Sequence, residues 1–268
     1  MKIFAISLVK NEADIVAKSL QDASLWADKI FVLDNGSTDG TWEIVQALAA
    51  TNTKIVPYKQ DTTPFYDGIR AQVFQAFRHL ATKDDWWCFR LDADEFYIDN
   101  PVDFLSKVPK NHHFVVTDSV QFRLTKEDFA EGKSPQSIED IRYHDKKTWS
   151  ETRFFRYREG MEWTPAMDRP RHMGVLHPRR IKLRHYQYRS LNQIRNRVAV
   201  RREAQKNGFA GFQYSVDENV ESYLHDRKEL NYYNGPENLQ IEGPANHLYQ
   251  RWYDILLKTI FHATRIYK

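Results

Sequence analysis

At 268 residues the chain can form one large domain with a substantial buried core, or a catalytic core with a small appendage. Hydrophobic residues make up 41% and charged residues 28%, without low-complexity tracts, which excludes fibrous, collagen-like and intrinsically disordered classes. The net charge of +3 is low and no nucleic-acid-binding motif is present, so nucleic acid is not an expected partner.

The run Met1-Lys2-Ile3-Phe4-Ala5-Ile6-Ser7-Leu8-Val9 reads as a first strand, because Lys10-Asn11-Glu12 cuts it short of a signal-peptide core and no cleavage-like site follows. Glu12 to Leu25 predicts an amphipathic helix, Lys29 to Leu33 a strand, Thr41 to Ala50 a helix and Lys54 to Tyr58 a strand. That βαβαβ rhythm implies a parallel sheet. From Gly68 to Leu80 the apolar residues Ile69, Val73, Phe77 and Leu80 recur at helical spacing, and Trp86 to Leu91 is apolar nearly throughout, as a central parallel strand is. The single cysteine, Cys88, lies in that run; it is expected to be a buried small hydrophobe with no disulfide partner, which points to a reducing, cytoplasmic setting.

After residue 100 strands are predicted at His113 to Thr117, Val120 to Leu124, Arg153 to Tyr157 and Arg180 to Tyr188, in a mixed sheet. Ser190-Leu191-Asn192-Gln193 has capping-box form and opens a polar helix ending near Gly208. Between Arg179 and Lys206 ten Lys or Arg face one acid, Glu203, which implies local attraction for phosphate or a solvated helix face. A last helix begins at about His247. Its apolar-leaning stripe is Leu248, Trp252, Ile255, Thr259 and Ala263, and its basic stripe is Arg251, Lys258, His262 and Arg265. The pattern suits packing of the apolar stripe on the catalytic domain or on a second subunit, with peripheral contact with the inner face of an anionic membrane as the alternative. No uninterrupted run approaches the roughly 20 apolar residues needed to cross a bilayer.

In open α/β sheets ligands gather beyond the carboxyl ends of strands. Asp34 follows Phe31-Val32-Leu33, and Asp92 follows Phe89-Arg90-Leu91. Asp92-Ala93-Asp94 places two carboxylates at the end of a buried strand, where a charge without a partner is costly. Hard cations such as Mg2+ or Mn2+ take such oxygens, with phosphates and water completing the shell. An aspartyl-phosphatase reading of the same spacing needs a threonine where this chain has Phe96. Asp34-Asn35-Gly36-Ser37-Thr38-Asp39-Gly40-Thr41 is a tight turn into a helix, with Asp39 as the expected N-cap. The turn does not require Asp34, whose carboxylate can accept from a base N–H or a ribose hydroxyl.

Three segments in order, Ser7-Leu8-Val9-Lys10-Asn11-Glu12, Leu33 to Thr41, and Leu91-Asp92-Ala93-Asp94-Glu95-Phe96, resemble the successive N-terminal signatures of family 2 glycosyltransferases with the GT-A fold. The resemblance implies an α/β fold, a Rossmann-like, mostly parallel nucleotide-binding sheet flanked by helices, with a C-terminal helical extension. It suggests a donor-binding half over 1–100, an acceptor-side half over 101–208 and a helical appendage over 209–268. It implies that Val9 and Asp34 cradle the nucleoside, that Arg70 contacts the donor, and that Asp92 and Asp94 meet the ribose-phosphate and the metal. Leu183-Arg184-His185-Tyr186 resembles a segment whose histidine approaches the metal or diphosphate, which points to His185. Inverting transfer needs a base near the acceptor hydroxyl. Asp168, beyond Trp163, stands where related enzymes often carry an acid, with Glu151 and Asp145 as rivals, although Met167 replaces a histidine common in relatives.

The expected activity is sugar transfer from a nucleotide-sugar donor, UDP- or GDP-linked, to a glycan or lipid-linked acceptor in cell-surface polysaccharide or lipopolysaccharide synthesis. Inversion and a Mn2+ or Mg2+ cofactor are expected with it. A sugar-activating nucleotidyltransferase is the alternative enzyme, but Val9-Lys10-Asn11-Glu12 lacks the Gly-rich basic loop it needs for a triphosphate. A non-catalytic glycan- or nucleotide-binding module is the other alternative, and intact Asp92 and Asp94 argue against it.

Overall fold

The computed structural model describes residues 1–130, 134–210, 217–246, 248–264 and 266–267. In chain order the elements are β1 (Ile3–Val9), α1 (Val16–Ala23), β2 (Lys29–Asp34), α2 (Thr41–Thr51), β3 (Ile55–Gln60), α3 (Arg70–Phe77), β4 (Trp86–Leu91), β5 (Glu95–Tyr97), α4 (Pro101–Ser106) and β6 (Phe114–Arg123). There follow α5 (Lys126–Ala130), β7 (Tyr143–His144), β8 (Thr152–Arg156), β9 (Ile181–His185), α6 (Leu191–Lys206), β10 (Asn231–Tyr232) and α7 (Trp252–Ala263). These elements belong to two compact units that interleave along the chain, whereas the sequence suggests successive segments meeting near residues 100 and 208. The first unit comprises Met1–Thr117, Glu151–Ile181 and His247–Lys268, and the second Asp118–Ser150 and Lys182–Asn246.

In the first unit the parallel order is β3-β2-β1-β4, followed by antiparallel β8 and the N-terminal end of β6. This is the expected α/β arrangement. The chain runs outward from β1 to β3 and then places β4 on the opposite side of β1. Strand order therefore reverses between β1 and β4, the switch point at which such sheets open a ligand crevice. One face of the sheet buries Phe4, Phe31, Trp87 and Phe89 against Phe74 of α3 and Trp163. Each such side chain contributes about 1.5–3 kcal/mol when fully buried.

Local differences from the sequence reading have local causes. Gly40, not Asp39, occupies the N-cap of α2, at φ +93°. Asp39 acts from one residue further out, its Oδ1 accepting from Thr41 N at 3.1 Å and Thr41 Oγ1 at 2.5 Å. The strands expected at 113–117 and 120–124 are one continuous β6, and the strand expected from Arg180 to Tyr188 is only the five residues of β9.

In the second unit the C-terminal end of β6 pairs with β7, and β7 with β10, both antiparallel. Ser190 caps α6, accepting from Gln193 N at 3.1 Å, while Gln193 Oε1 accepts from Arg189 N at 3.2 Å. The basic stretch is not simply a solvated face: Arg189 and Arg201 are buried, and Arg201 donates to the Tyr188 hydroxyl at 3.2 Å.

The expected helix start at His247 lies outside the described residues, as does Arg265 of the expected basic stripe; α7 begins at Trp252. Lys258 and His262 are half-buried in the first unit, while Trp252 and Ile255 are exposed.

Candidate active site

The site begins where β1 and β2 end side by side, with Val9 opposite Asp34. The Val9 side chain is buried and its carbonyl accepts from Asn35 N at 2.8 Å, so Val9 forms the floor of the turn. Asn11, at φ +55°, laces this turn to the next: its N–H donates to Ser37 Oγ at 2.9 Å and its Oδ1 accepts from Thr38 N at 2.9 Å. Glu12 N donates to Thr41 Oγ1 at 2.9 Å. Two of the three signature segments therefore build one wall.

Asp34 is 0% exposed. Its Oδ1 accepts from Ser37 N at 2.7 Å and Gln60 Nε2 at 3.1 Å. Its Oδ2 is buried with no hydrogen-bond partner among the described residues. A buried acceptor left unsatisfied costs about 1–3 kcal/mol, which a donor on a bound molecule would recover.

Two strand spacings away, about 10 Å across the sheet, β4 ends in the Asp92-Ala93-Asp94 segment. Glu95 N donates to the Asp92 carbonyl at 3.2 Å, closing a tight turn into β5. Asp94 is 3% exposed. Arg70, the first residue of α3, reaches Asp92 Oδ1 with Nη2 at 2.9 Å, and burial, partly offset by Asp92, brings its pKa down to about 10.

Arg153 of β8 lies beneath this turn, its side chain 2% exposed. Its Nε donates to Glu95 Oε2 at 3.0 Å, and its Nη2 contacts Glu95 Oε1 and, at 3.5 Å, Asp92 Oδ2. Its Nη1 lies 2.5 Å from Glu151 Oε2, which Arg90 approaches at 3.6 Å. Burial works against the guanidinium charge, but Glu95, Glu151 and Asp92 together raise its pKa well above the ordinary value. The guanidinium groups of Arg70, Arg90 and Arg153 thus pair with the carboxylates of Asp92, Glu95 and Glu151, and Asp94 stands on the same turn. Two aspartate carboxylates on a tight turn are oxygen donors of the kind that a hard divalent cation takes when it shares its shell with phosphate. Among the described residues no group of three or more His, Cys, Asp or Glu forms a cage for a metal by itself.

Asp168 lies on the turn that follows Trp163. The Trp163 indole donates to the Met167 carbonyl at 2.9 Å, and Gly68, two residues before Arg70, sits so close that a Cβ there would strike the Pro165 and Met167 carbonyls. The turn is thereby seated on the start of α3. Asp168 is 41% exposed and pairs with Arg169 at 2.6 Å. Partial burial raises its pKa, but Arg169 and Arg90 outweigh that effect and the net shift is downward.

His185 closes β9 in the second unit, half-buried, beyond the buried Ile181 and Leu183. Asp145, in the same unit, is held by Arg123 at 2.6 Å. Cys88 is buried and its pKa is pushed up to about 12, as suits a packing residue. Sequence reasoning passed over Arg153 and Gly68. An arginine inside the aromatic strand segment Thr152-Arg153-Phe154-Phe155 demands a buried acid, and Glu95, directly after the two aspartates, supplies it.

Among solved structures the chain is similar to the mannosyltransferase PcManGT from Pyrobaculum calidifontis in complex with GDP-Man and Mn2+, at 18% identity and a TM-score of 0.40, over 84% of this chain and 70% of that one. No curated protein sequence matches. The model of glycosyl transferase family 2 matches residues 5–177, across all three signature segments, Arg153 and Asp168, and the chain belongs to that family.

Proposed function

We propose that the chain transfers a sugar from a UDP- or GDP-linked donor to a glycan or lipid-linked acceptor, with inversion at the anomeric carbon. The buried, unsatisfied Oδ2 of Asp34 at one strand end, about 10 Å across the sheet from the Asp92–Asp94 turn, is the observation that carries this reading. That span suits a nucleoside at Asp34 and a diphosphate at the turn. Asp94, with Asp92, would hold Mn2+ or Mg2+, which neutralises the departing diphosphate when bound. Arg70 and Arg153 fix Asp92.

Asp168 is the proposed base. It takes the proton of the acceptor hydroxyl as that oxygen bonds to the anomeric carbon and the bond to the diphosphate oxygen breaks, the electron pair leaving with the diphosphate. Glu151, already bridged by Arg153 and Arg90, is better placed to anchor the turn than to accept a proton. Cell-surface polysaccharide or lipopolysaccharide synthesis is the setting that fits such an acceptor.

A thermal-shift series with UDP-, GDP-, CMP- and dTDP-sugars, with and without Mn2+, tests the reading. One donor should raise Tm by about 5 °C at about 100 times its Kd, and mass spectrometry should then detect the free nucleoside diphosphate. No shift with any donor refutes it.

A further inference from the structure

We infer that the outward face of α7 lies in the interface of an anionic phospholipid membrane, an assignment that goes beyond the transfer reaction and does not depend on it. Most amphipathic helices on a protein bury the apolar side; α7 does the reverse. Trp252, Tyr253, Ile255, Leu256, Leu257 and Ile260 are all exposed, Trp252 by 74% and Leu256 by 52%. At 3.6 residues per turn they occupy an arc of about 200°. The opposite side carries Asp254, Lys258, Phe261 and His262, all half-buried.

That inner side is firmly seated on the first unit. The His262 ring stacks on His113 with centroids 3.7 Å apart and an interplanar angle of 11°. Arg158 Nη1 lies 2.7 Å from His262 Nδ1. Gly174, at φ +95°, leaves room for both rings, and a Cβ there would strike them. Just before the helix, the Gln250 side chain accepts from Leu176 N and donates to the Gly174 carbonyl, both at 2.8 Å. The apolar side is therefore presented by a fixed helix, not by a frayed end.

The occupant follows from size and charge. A helix of 12 residues is about 18 Å long and about 10 Å wide, a few hundred Å2 of face, against about 800 Å2 per partner in a stable protein interface. Lipid sets no such minimum, because apolar side chains need only reach the acyl boundary. Trp and Tyr at the start of the helix match the residues that favour the headgroup level. The one acid of the helix, Asp254, lies on the inner side with Lys258, whereas Arg251 is exposed next to Trp252 and the sequence beyond the helix adds Arg265 and Lys268, a balance suited to an anionic surface. Docked in this way, the first unit would meet its acceptor at the membrane plane.

Co-sedimentation of the full chain with vesicles of phosphatidylcholine, alone or mixed with phosphatidylglycerol, at low and high salt, tests the inference. Wild type should pellet with the phosphatidylglycerol vesicles, less so at high salt. The double variant Leu256→Glu/Ile260→Glu alters only exposed positions, so it should keep its Tm and its affinity for nucleoside diphosphate. Its partition should fall by at least about tenfold. A wild-type chain that stays in the supernatant at low salt overturns the inference. So does a concentration-dependent dimer in analytical ultracentrifugation that the double variant abolishes, since the face would then be covered by a second copy. Donor affinity is read separately, so either failure leaves the transfer proposal standing.

Discussion

Arg153 and Glu95 form a two-pronged ion pair beneath the Asp92–Asp94 turn, with Nε to Oε2 at 3.0 Å and both side chains withdrawn from solvent. Breaking such a pair by removing one partner costs about 3–5 kcal/mol, because the remaining charge stays buried. Arg153→Met should lose stability on that scale in urea denaturation, and adding Glu95→Gln should restore part of it. An Arg153→Met protein as stable as wild type would show that the pair does not hold the turn.

Asp34→Ala should weaken nucleoside diphosphate binding by about 1–3 kcal/mol, the scale of a lost hydrogen bond to a buried group. Calorimetry with the free nucleotide measures it directly. An unchanged dissociation constant would reduce Asp34 to a structural partner of Ser37 and Gln60.

Gly68→Ala should displace the Trp163–Asp168 turn, since the added methyl meets backbone carbonyls that cannot rotate away. Overpacking of this kind costs about 1–3 kcal/mol. Because the turn carries the proposed base, turnover should fall by more than donor affinity. Comparing kcat with nucleotide Kd separates the two effects, and equal losses would contradict the role given to the turn.

Seating of α7 should weaken in acid. Burial, followed by neighbouring cations, lowers the pKa of His113 to about 3 and of His262 to about 4. Both rings are therefore neutral when the helix is docked, whereas the unfolded rings titrate near 6.5. The unfolded state binds more protons below that value, so the stabilisation is complete above pH 6.5 and drains away as pH falls toward 4. Tm measured from pH 7.5 to 4.5 should decline over this window, less steeply in His262→Gln. An identical slope in the variant would remove His262 from the account.

The parallel strands were legible because β1, β2 and β4 are apolar runs bounded by turn residues, and the two acidic clusters stand at their carboxyl ends. The return of Glu151–Ile181 to the first unit was not, because it is set by the pairing of β8 with β4, distant in sequence. Periodicity put Lys258 and His262 together on one side of α7, but its apolar stripe missed Tyr253, Leu256, Leu257 and Ile260, and it could not tell that the side with His262 faces inward, since that is decided by His113, Arg158 and Gly174, far away in sequence. In the candidate site the resemblance supplied Asp34, Arg70, Asp92 and Asp94. The contacts that hold them, from Asn11, Arg153 and Gly68, come from long-range packing that no local spacing encodes.

Asp94 is proposed to hold a divalent cation against the diphosphate of a nucleotide-sugar donor. Titration calorimetry of the free nucleoside diphosphate, with Mn2+ and with chelator, for wild type and Asp94→Asn, tests it most directly. Mn2+ should tighten binding to wild type by at least about tenfold, roughly 1.4 kcal/mol, and should do nothing for Asp94→Asn, whose Tm without ligand should remain close to that of wild type. Equal affinity with Mn2+ and with chelator in the wild-type protein would contradict the account.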